Sequence, residues 1–314
     1  MVIYTRYIPP KSIMLEKVII TGGAGFIGSH LTDRLIKEGY DVHVIDNLST
    51  GLKSNIHPKA KFYKADITNL KKISPIFKGA SFGFHLAALP RVQLSIDDPI
   101  KTHNVNVNGT LNVLMAAKEA RVKRVIYSAS SSAYGDQKKL PLKEYMNGKP
   151  LSPYGFQKYS GEHYCRIFSS VFGLETISLR YFNVYGKGMS EKGSYLPVFV
   201  IFLKQKKENK ALTIIGDGKQ KRSFTNVKDV VNANILAAKS LKVGKGEVIN
   251  ICANKSYSIN EVAKLISNNI IHLPERTGEI KMSLGSNVLA KKLLGWNPKV
   301  DLRKGLEELK EFYI

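Results

Sequence analysis

The chain has 314 residues, room for one large α/β domain with a smaller lobe or for two domains. Its 43% hydrophobic and 23% charged residues are near the averages for folded globular proteins, which excludes disordered, collagen-like and coiled-coil classes. Lys and Arg number 48 against 25 acids, a net charge of +23 that suits anionic small molecules as well as nucleic acid or a membrane surface. The densest basic run, 204–210, reads as the solvated end of a helix, without an aromatic RNA-binding motif or a recognition-helix signature. The longest apolar run, Leu196 to Leu203, contains Pro197 and falls well short of the roughly 18 residues of a membrane span. Neither nucleic acid nor a membrane is therefore expected as a partner. Cys165 and Cys252 stand alone, too few for a disulfide framework and without the spacing of a metal site, so a reducing cytoplasm is the expected location and no metal is expected.

In chain order, residues 1–13 hold one Arg, two prolines and no continuous apolar stretch, so they read as a loose extension rather than a signal peptide, with Met14 a second candidate start. From Lys17 apolar runs alternate with amphipathic stretches: VIITGG, a helix from Phe26 to Glu38, DVHVID, KFYKADI, GFHLAA, a helix near Val105 to Ala120, and RVIYSAS. That rhythm predicts a parallel, doubly wound α/β sheet, and the Val/Ile-rich strands suit burial on both faces. After Ser152 and Pro153 a long helix is predicted to about Phe172, stopped by Gly173, followed by the strand ETISLRYFNVYG. Beyond Gly188 the regularity weakens. Ser258 and Glu261 form a capping box for a helix reaching about Ile270, and Asp301 can cap a terminal helix.

The first strand runs into TGGAGFIG, which places Gly22, Gly25 and Gly28 between a strand and a helix. Gly22 permits the tight turn, Gly25 the approach of a pyrophosphate, and Gly28 close helix packing, with the helix N-terminus facing the anion. Asp46 ends the second strand, where a carboxylate accepts hydrogen bonds from ribose hydroxyls and repels a 2′-phosphate, so NAD is favoured over NADP. Asp66 with Ile67, and Ala87 with Ala88, follow the next two strands, where the adenine and the middle of the cofactor would lie. The expected architecture is a Rossmann-type NAD-binding domain, 14–182 plus about 224–250, with a smaller mixed α/β lobe of 183–223 plus 251–314.

Tyr154 and Lys158 form a YxxxK pair, and on a helix such residues share a face. An ammonium beside a phenol favours the phenolate, turning a group of ordinary pKa about 10 into a base nearer neutrality. The pattern also occurs at Tyr7/Lys11, Tyr134/Lys138 and Tyr145/Lys149, but only Tyr154 opens a sustained helical segment. Upstream, SASSSAYG follows a buried-type strand, so Ser130 emerges at the strand end where an open α/β sheet binds ligands.

TGGAGFIG, VIDNLSTG, HLAA, NVNGTLNVL, SASSSAYGD, SPYGFQKYSGE, LRYFNVYG and GDGKQKRSFTNVKDVV follow one another as in the extended short-chain dehydrogenase/reductases, and the chain from Met14 resembles their UDP-sugar 4-epimerases. The resemblance implies a catalytic Ser130, Tyr154 and Lys158. It implies cofactor contacts at Gly22, Gly25, Phe26, Ile27, Gly28, Asp46, Asn47, Ser49, Gly51, Asp66, Ile67, Ala87, Ala88, Asn106, Tyr154, Lys158 and Tyr181, Asn106 also supporting the catalytic loops. Asn183, Arg222 and Arg276 match positions that hold UDP, and Ser130 would meet the sugar. Ser223 departs from the family, which usually has Asp there. A homodimer is also implied, packed through the Tyr-bearing helix, where Ile167, Phe168 and Val171 are apolar.

Ser131 and Ser132 stand where 4,6-dehydratases of the family carry an acid and a base and where decarboxylases tend to have Glu, and Asp46 opposes the NADPH-dependent reductases. What remains is reversible C4 epimerisation of a UDP-hexose. Ser283 matches a gate position where large aromatics restrict the pocket to glucose and galactose, so its small side chain implies UDP-GlcNAc/UDP-GalNAc, with UDP-Glc/UDP-Gal also accepted. UDP-glucuronate is an alternative, with Lys281 or Arg91 meeting its carboxylate, as is a strict UDP-glucose enzyme. A non-catalytic nucleotide-binding member of the fold is the alternative of a different class.

Overall fold

The computed structural model describes residues 15–191, 196–275 and 282–314. The Val/Ile-rich runs form strands β1 (Lys17–Thr21), β2 (Asp41–Asp46), β3 (Lys61–Lys64), β4 (Phe82–His85), β5 (Arg124–Ser130) and β6 (Glu175–Tyr181). With Lys245–Ile251 they build a seven-stranded sheet in the order Lys245–Ile251, β6, β5, β4, β1, β2, β3, all pairs parallel. Strand order reverses between β1 and β4, which opens a crevice at the carboxyl ends of both.

Helices cover both faces. One side buries Ile20, Leu31, Val44, Ile126, Leu179 and Val230, and the other Ile19, Ile45, Val113, Leu114, Val125 and Phe168. The helix Phe26–Lys37 stops one residue short of the predicted Glu38. The helix predicted near Val105 begins earlier: Pro99–His103 passes through a wider π turn at Asn104–Asn108 into Gly109–Glu119. Helix Pro153–Phe172 starts and stops as its signals direct, with the Ser152 hydroxyl accepting from the Gly155 N–H and Gly173 in the left-handed conformation.

Outside the sheet, Leu212–Ile215 pairs in parallel with Ile270–Leu273, and Lys221–Arg222 lies between Tyr257–Ser258 and Met282–Ser283. Phe199, Phe202, Leu212, Ile214, Val262 and Leu306 form a separate core there. The capping box at Ser258 and Glu261 is present, but its helix ends at Lys264 and the Ile-rich run predicted to finish it is a strand. Asp301 caps the terminal helix Leu302–Tyr313 by accepting from the Arg303 N–H. We propose two lobes on these cores, with one change to the boundaries read from sequence. Ala290, Leu294 and Trp296 pack into the cluster of the large sheet, where the Trp296 indole donates to the Asp229 carbonyl. Phe168 likewise belongs to the core and not to an outer face, whereas Ile167 and Val171 are exposed.

Candidate active site

The crevice is a cavity of about 990 Å³ running from the glycine turn to Tyr154. Its floor follows from backbone geometry. Gly22 has φ of +76°, and a Cβ there would lie 2.6 Å from the Ala87 nitrogen. The next helix begins at Gly25 with no side chain capping it, so its first N–H groups are left for an anion. This is a cradle that a side chain would fill, and it fits a dinucleotide pyrophosphate. Phe26, Ile27 and Gly28 continue the cradle along the cavity wall.

At the end of β2, Asp46 accepts from the Ala24 N–H at 3.0 Å and the Leu48 N–H at 2.8 Å, one on each oxygen. A carboxylate has further lone pairs, so both oxygens remain acceptors for ribose hydroxyls. Asn47 donates to Asp66 at 2.7 Å. Asp66 is pushed up by burial, but hydrogen bonds from Thr68 and Asn47 outweigh this and hold its carboxyl below the ordinary range. Ser49, Gly51, Asp66, Ile67, Ala87 and Ala88 all face the same cavity.

At the other end lie Ser130, Tyr154, Lys158, Tyr181 and Asn183. Ser130 closes β5, donates to Ser132 Oγ at 3.1 Å and shares the cavity wall with Tyr154. The Lys158 ammonium donates to the Ser128 carbonyl at 2.8 Å and lies 5.0 Å from the centre of the Tyr127 ring. Burial lowers its pKa to about 8, with Cys165 and Glu162 pulling the other way. Burial also lifts the Tyr154 phenol above its usual 10, and the groups that pull it back are the Ser130 hydroxyl and the Arg91 guanidinium. Arg91 and Lys158, the residue to which the YxxxK spacing points, both line the cavity with Tyr154.

Three residues singled out from sequence do not line the cavity. Asn106 is buried and spends its amide on the Leu89 N–H, the Leu89 carbonyl and Gln157 Oε1, so it ties the loop after β4 to the Tyr154 helix. Arg222 and Ser283 face each other across two paired strands. They join the cavity's Asn183 through Ser223, whose N–H donates to the Ser283 carbonyl and whose carbonyl accepts from Asn183 Nδ2. The hydroxyl of Ser223 itself is buried without a partner among the described residues. Arg276 and Lys281 lie outside the described residues.

A buried chain behind the site went unread in the sequence. Thr110 donates to the Asn106 carbonyl, so His85 Nε2–H must donate to Thr110, and His85 Nδ1 accepts from Thr21. Burial, with the Lys158 charge nearby, lowers the His85 pKa to about 3 and keeps the ring neutral. The available signal was a histidine closing an otherwise apolar strand.

A family model described as the NAD dependent epimerase/dehydratase family matches residues 18–252. A UDP-glucose 4-epimerase of Lactobacillus helveticus is 35% identical over 306 residues, covering 90% of this chain and 92% of that protein. The crystal structure of a Thermotoga maritima UDP-glucose 4-epimerase with UDP-glucose superposes with a TM-score of 0.90 at 36% identity, covering 95% and 98%. A Methanobrevibacter ruminantium UDP-N-acetylglucosamine 4-epimerase in complex with UDP-N-acetylmuramic acid gives 0.89 at 35% identity, covering 95% and 99%. With this fold, cradle and kinship, the chain belongs to the NAD-dependent epimerase/dehydratase family, among its UDP-sugar 4-epimerases of the extended short-chain dehydrogenase/reductase type.

Proposed function

We propose that the protein interconverts the C4 epimers UDP-GlcNAc and UDP-GalNAc, accepting UDP-Glc and UDP-Gal as well. The observation that carries this reading is the meeting of Ser130, Tyr154 and Lys158 with the glycine cradle in one cavity. When bound, NAD accepts and returns the C4 hydride, so that the sugar is a 4-ketone in between. The Tyr154 phenolate takes the 4-hydroxyl proton, directly or through Ser130, and gives it back to the opposite face after the sugar has turned about its diphosphate link. Lys158 holds the nicotinamide ribose, with its ammonium placed by the Ser128 carbonyl. Asn183, Arg222 and Arg276 are the proposed diphosphate and uridine contacts. Ser131 and Ser132 offer the cavity hydroxyls only, which leaves elimination without its acid and base.

Tyr154→Phe is expected to lower turnover at least about a hundredfold with little change in bound NAD. Full turnover by that variant would show that another group is the base, whereas no turnover by the parent protein would support a non-catalytic nucleotide-binding protein. For the substrate, the small Ser283, which does not line the cavity itself but is tied through Ser223 to the cavity's Asn183, supports admission of an acetamido group beside it. Ser283→Tyr should abolish conversion of UDP-GlcNAc while sparing UDP-Glc, and retention of both would sink the assignment. A second reading, UDP-glucuronate, draws support from Arg91 in the cavity wall. The exposed Ile167, Val171 and Phe172 on the Tyr154 helix support the homodimer proposed from the family resemblance, and a monomeric mass by light scattering would contradict it. Two free, buried cysteines support a reducing cytoplasm as its location.

A further inference from the structure

One charged group in the cavity wall is used neither by the glycine cradle nor by the Ser, Tyr and Lys set. Arg91 stands at the start of the short helix Val92–Asp97, half-buried and facing the same space as Tyr154. Its guanidinium makes no hydrogen bond or ion pair among the described residues, which is unusual for a group with five donors withdrawn from water.

Arg91 is not held loosely. Its carbonyl accepts from the Ser95 N–H at 3.1 Å, closing the first turn of the helix. Ser95 is fully buried, and its hydroxyl donates to the Val92 carbonyl at 2.6 Å and accepts from the Tyr154 N–H at 2.9 Å. The same serine thus joins the turn carrying Arg91 to the first turn of the helix carrying Tyr154. A shift of either helix would move the backbones of Arg91 and Tyr154 together.

We infer that Arg91 is a positioning residue for the base: with its turn tied through Ser95 to the Tyr154 helix, it presents a cation to Tyr154 and stabilises the phenolate that receives the sugar proton. The inference rests on the reading of Tyr154 as that base. In the step concerned, the O–H bond at the sugar C4 breaks, an O–H bond forms at Tyr154 Oη, and the phenolate charge is lost as the C4 hydride leaves to bound NAD. The other groups around the phenol are few. Lys158 on its own helix donates to the Ser128 carbonyl, Ser130 on β5 donates to Ser132, Tyr127 on β5 is a neutral buried phenol, and Asp97 on the Arg91 helix accepts from Gln93. Arg91 is therefore the cation in this set without an acceptor among the described residues. Its charge and that of Tyr154 act on one another, each favouring the ionised form of the other.

The test is the pH dependence of kcat and KM from about pH 6 to pH 10 for the holoenzyme and its Arg91→Met and Arg91→Lys variants, using UDP-GlcNAc, UDP-Glc and UDP-glucuronate, with bound NAD measured in each. Arg91→Met should move the acid limb of kcat up by about one pH unit, lowering kcat about tenfold on that limb and converging with the parent at high pH. KM and bound NAD should stay within about twofold, and Arg91→Lys should return the limb most of the way. An unmoved acid limb in Arg91→Met overturns the inference, as does a loss of bound NAD without such a shift. An effect confined to KM for UDP-glucuronate also overturns it, making Arg91 a carboxylate contact instead. Tyr154→Phe separates the two levels. If that variant turns over normally, the base reading falls and this inference with it. If it is inactive while Arg91→Met keeps the parent profile, only the role of Arg91 is refuted.

Discussion

Lys158 carries an ammonium into a place that disfavours it. The side chain is 4% exposed, and burial lowers its pKa from 10.5 to about 8. Below about pH 8 both folded and unfolded chains bind this proton, and the folded state bears the full cost, on the order of 3 kcal/mol. As pH rises from about 8 towards 10.5 the folded state sheds the proton first, and the cost disappears. Lys158→Met should therefore raise the unfolding midpoint at pH 7 while abolishing turnover, and the gain should shrink by pH 9.5. A gain independent of pH, or a loss, would show that the Ser128 carbonyl and Glu162 compensate the charge in full. The catalytic trio was legible in sequence because strand end, glycine turn and helix start converge there. The role of Arg91 was not. A short helix such as Val92–Asp97 has no periodicity to announce it, and only its bond to Tyr154 through Ser95 shows what it faces.

At the scale of the element, the first turn of helix Phe26–Lys37 is the most exacting fit in the nucleotide half. A Cβ at Gly28 would collide with the Gly22 carbonyl and come within 2.8 Å of the Gly23 Cα. Neither is the end of a flexible side chain, so the helix would have to lift from the turn it closes. Gly28→Ala should lose bound NAD and destabilise the fold by about 1–3 kcal/mol, read from denaturant unfolding and the absorbance of released cofactor. Retained NAD at parental stability would contradict the packing described for this turn. The elements of this half were readable because buried parallel strands are continuous Val/Ile runs stopped by Gly or Asp. In the smaller lobe the same logic failed at Ile270. Three apolar residues in the four of Ile270–Leu273 suit a last helical turn or a strand equally, and only pairing with Leu212–Ile215 decides it. The π turn at Asn104–Asn108 was hidden for a similar reason, since a local widening leaves the hydrophobic pattern nearly unchanged.

Over the whole molecule, the sheet presents its carboxyl ends to one cavity, and the smaller core carries Arg222 and Ser283 beside it on two-residue strands. Such short strands have no sequence signature, so these residues were found through family resemblance alone. The excess of basic residues suits a cavity that must gather a dinucleotide and a nucleoside diphosphate. Cavity, cradle and base together make one claim: C4 epimerisation with a cofactor that is regenerated in every cycle. It is tested most directly by proton NMR of the purified protein mixed with UDP-GlcNAc, and in parallel with UDP-Glc and UDP-glucuronate, with no cofactor added. The account predicts growth of the anomeric signal of UDP-GalNAc to equilibrium at catalytic protein concentration. No epimer from any of the three, even after NAD is supplied, would contradict it.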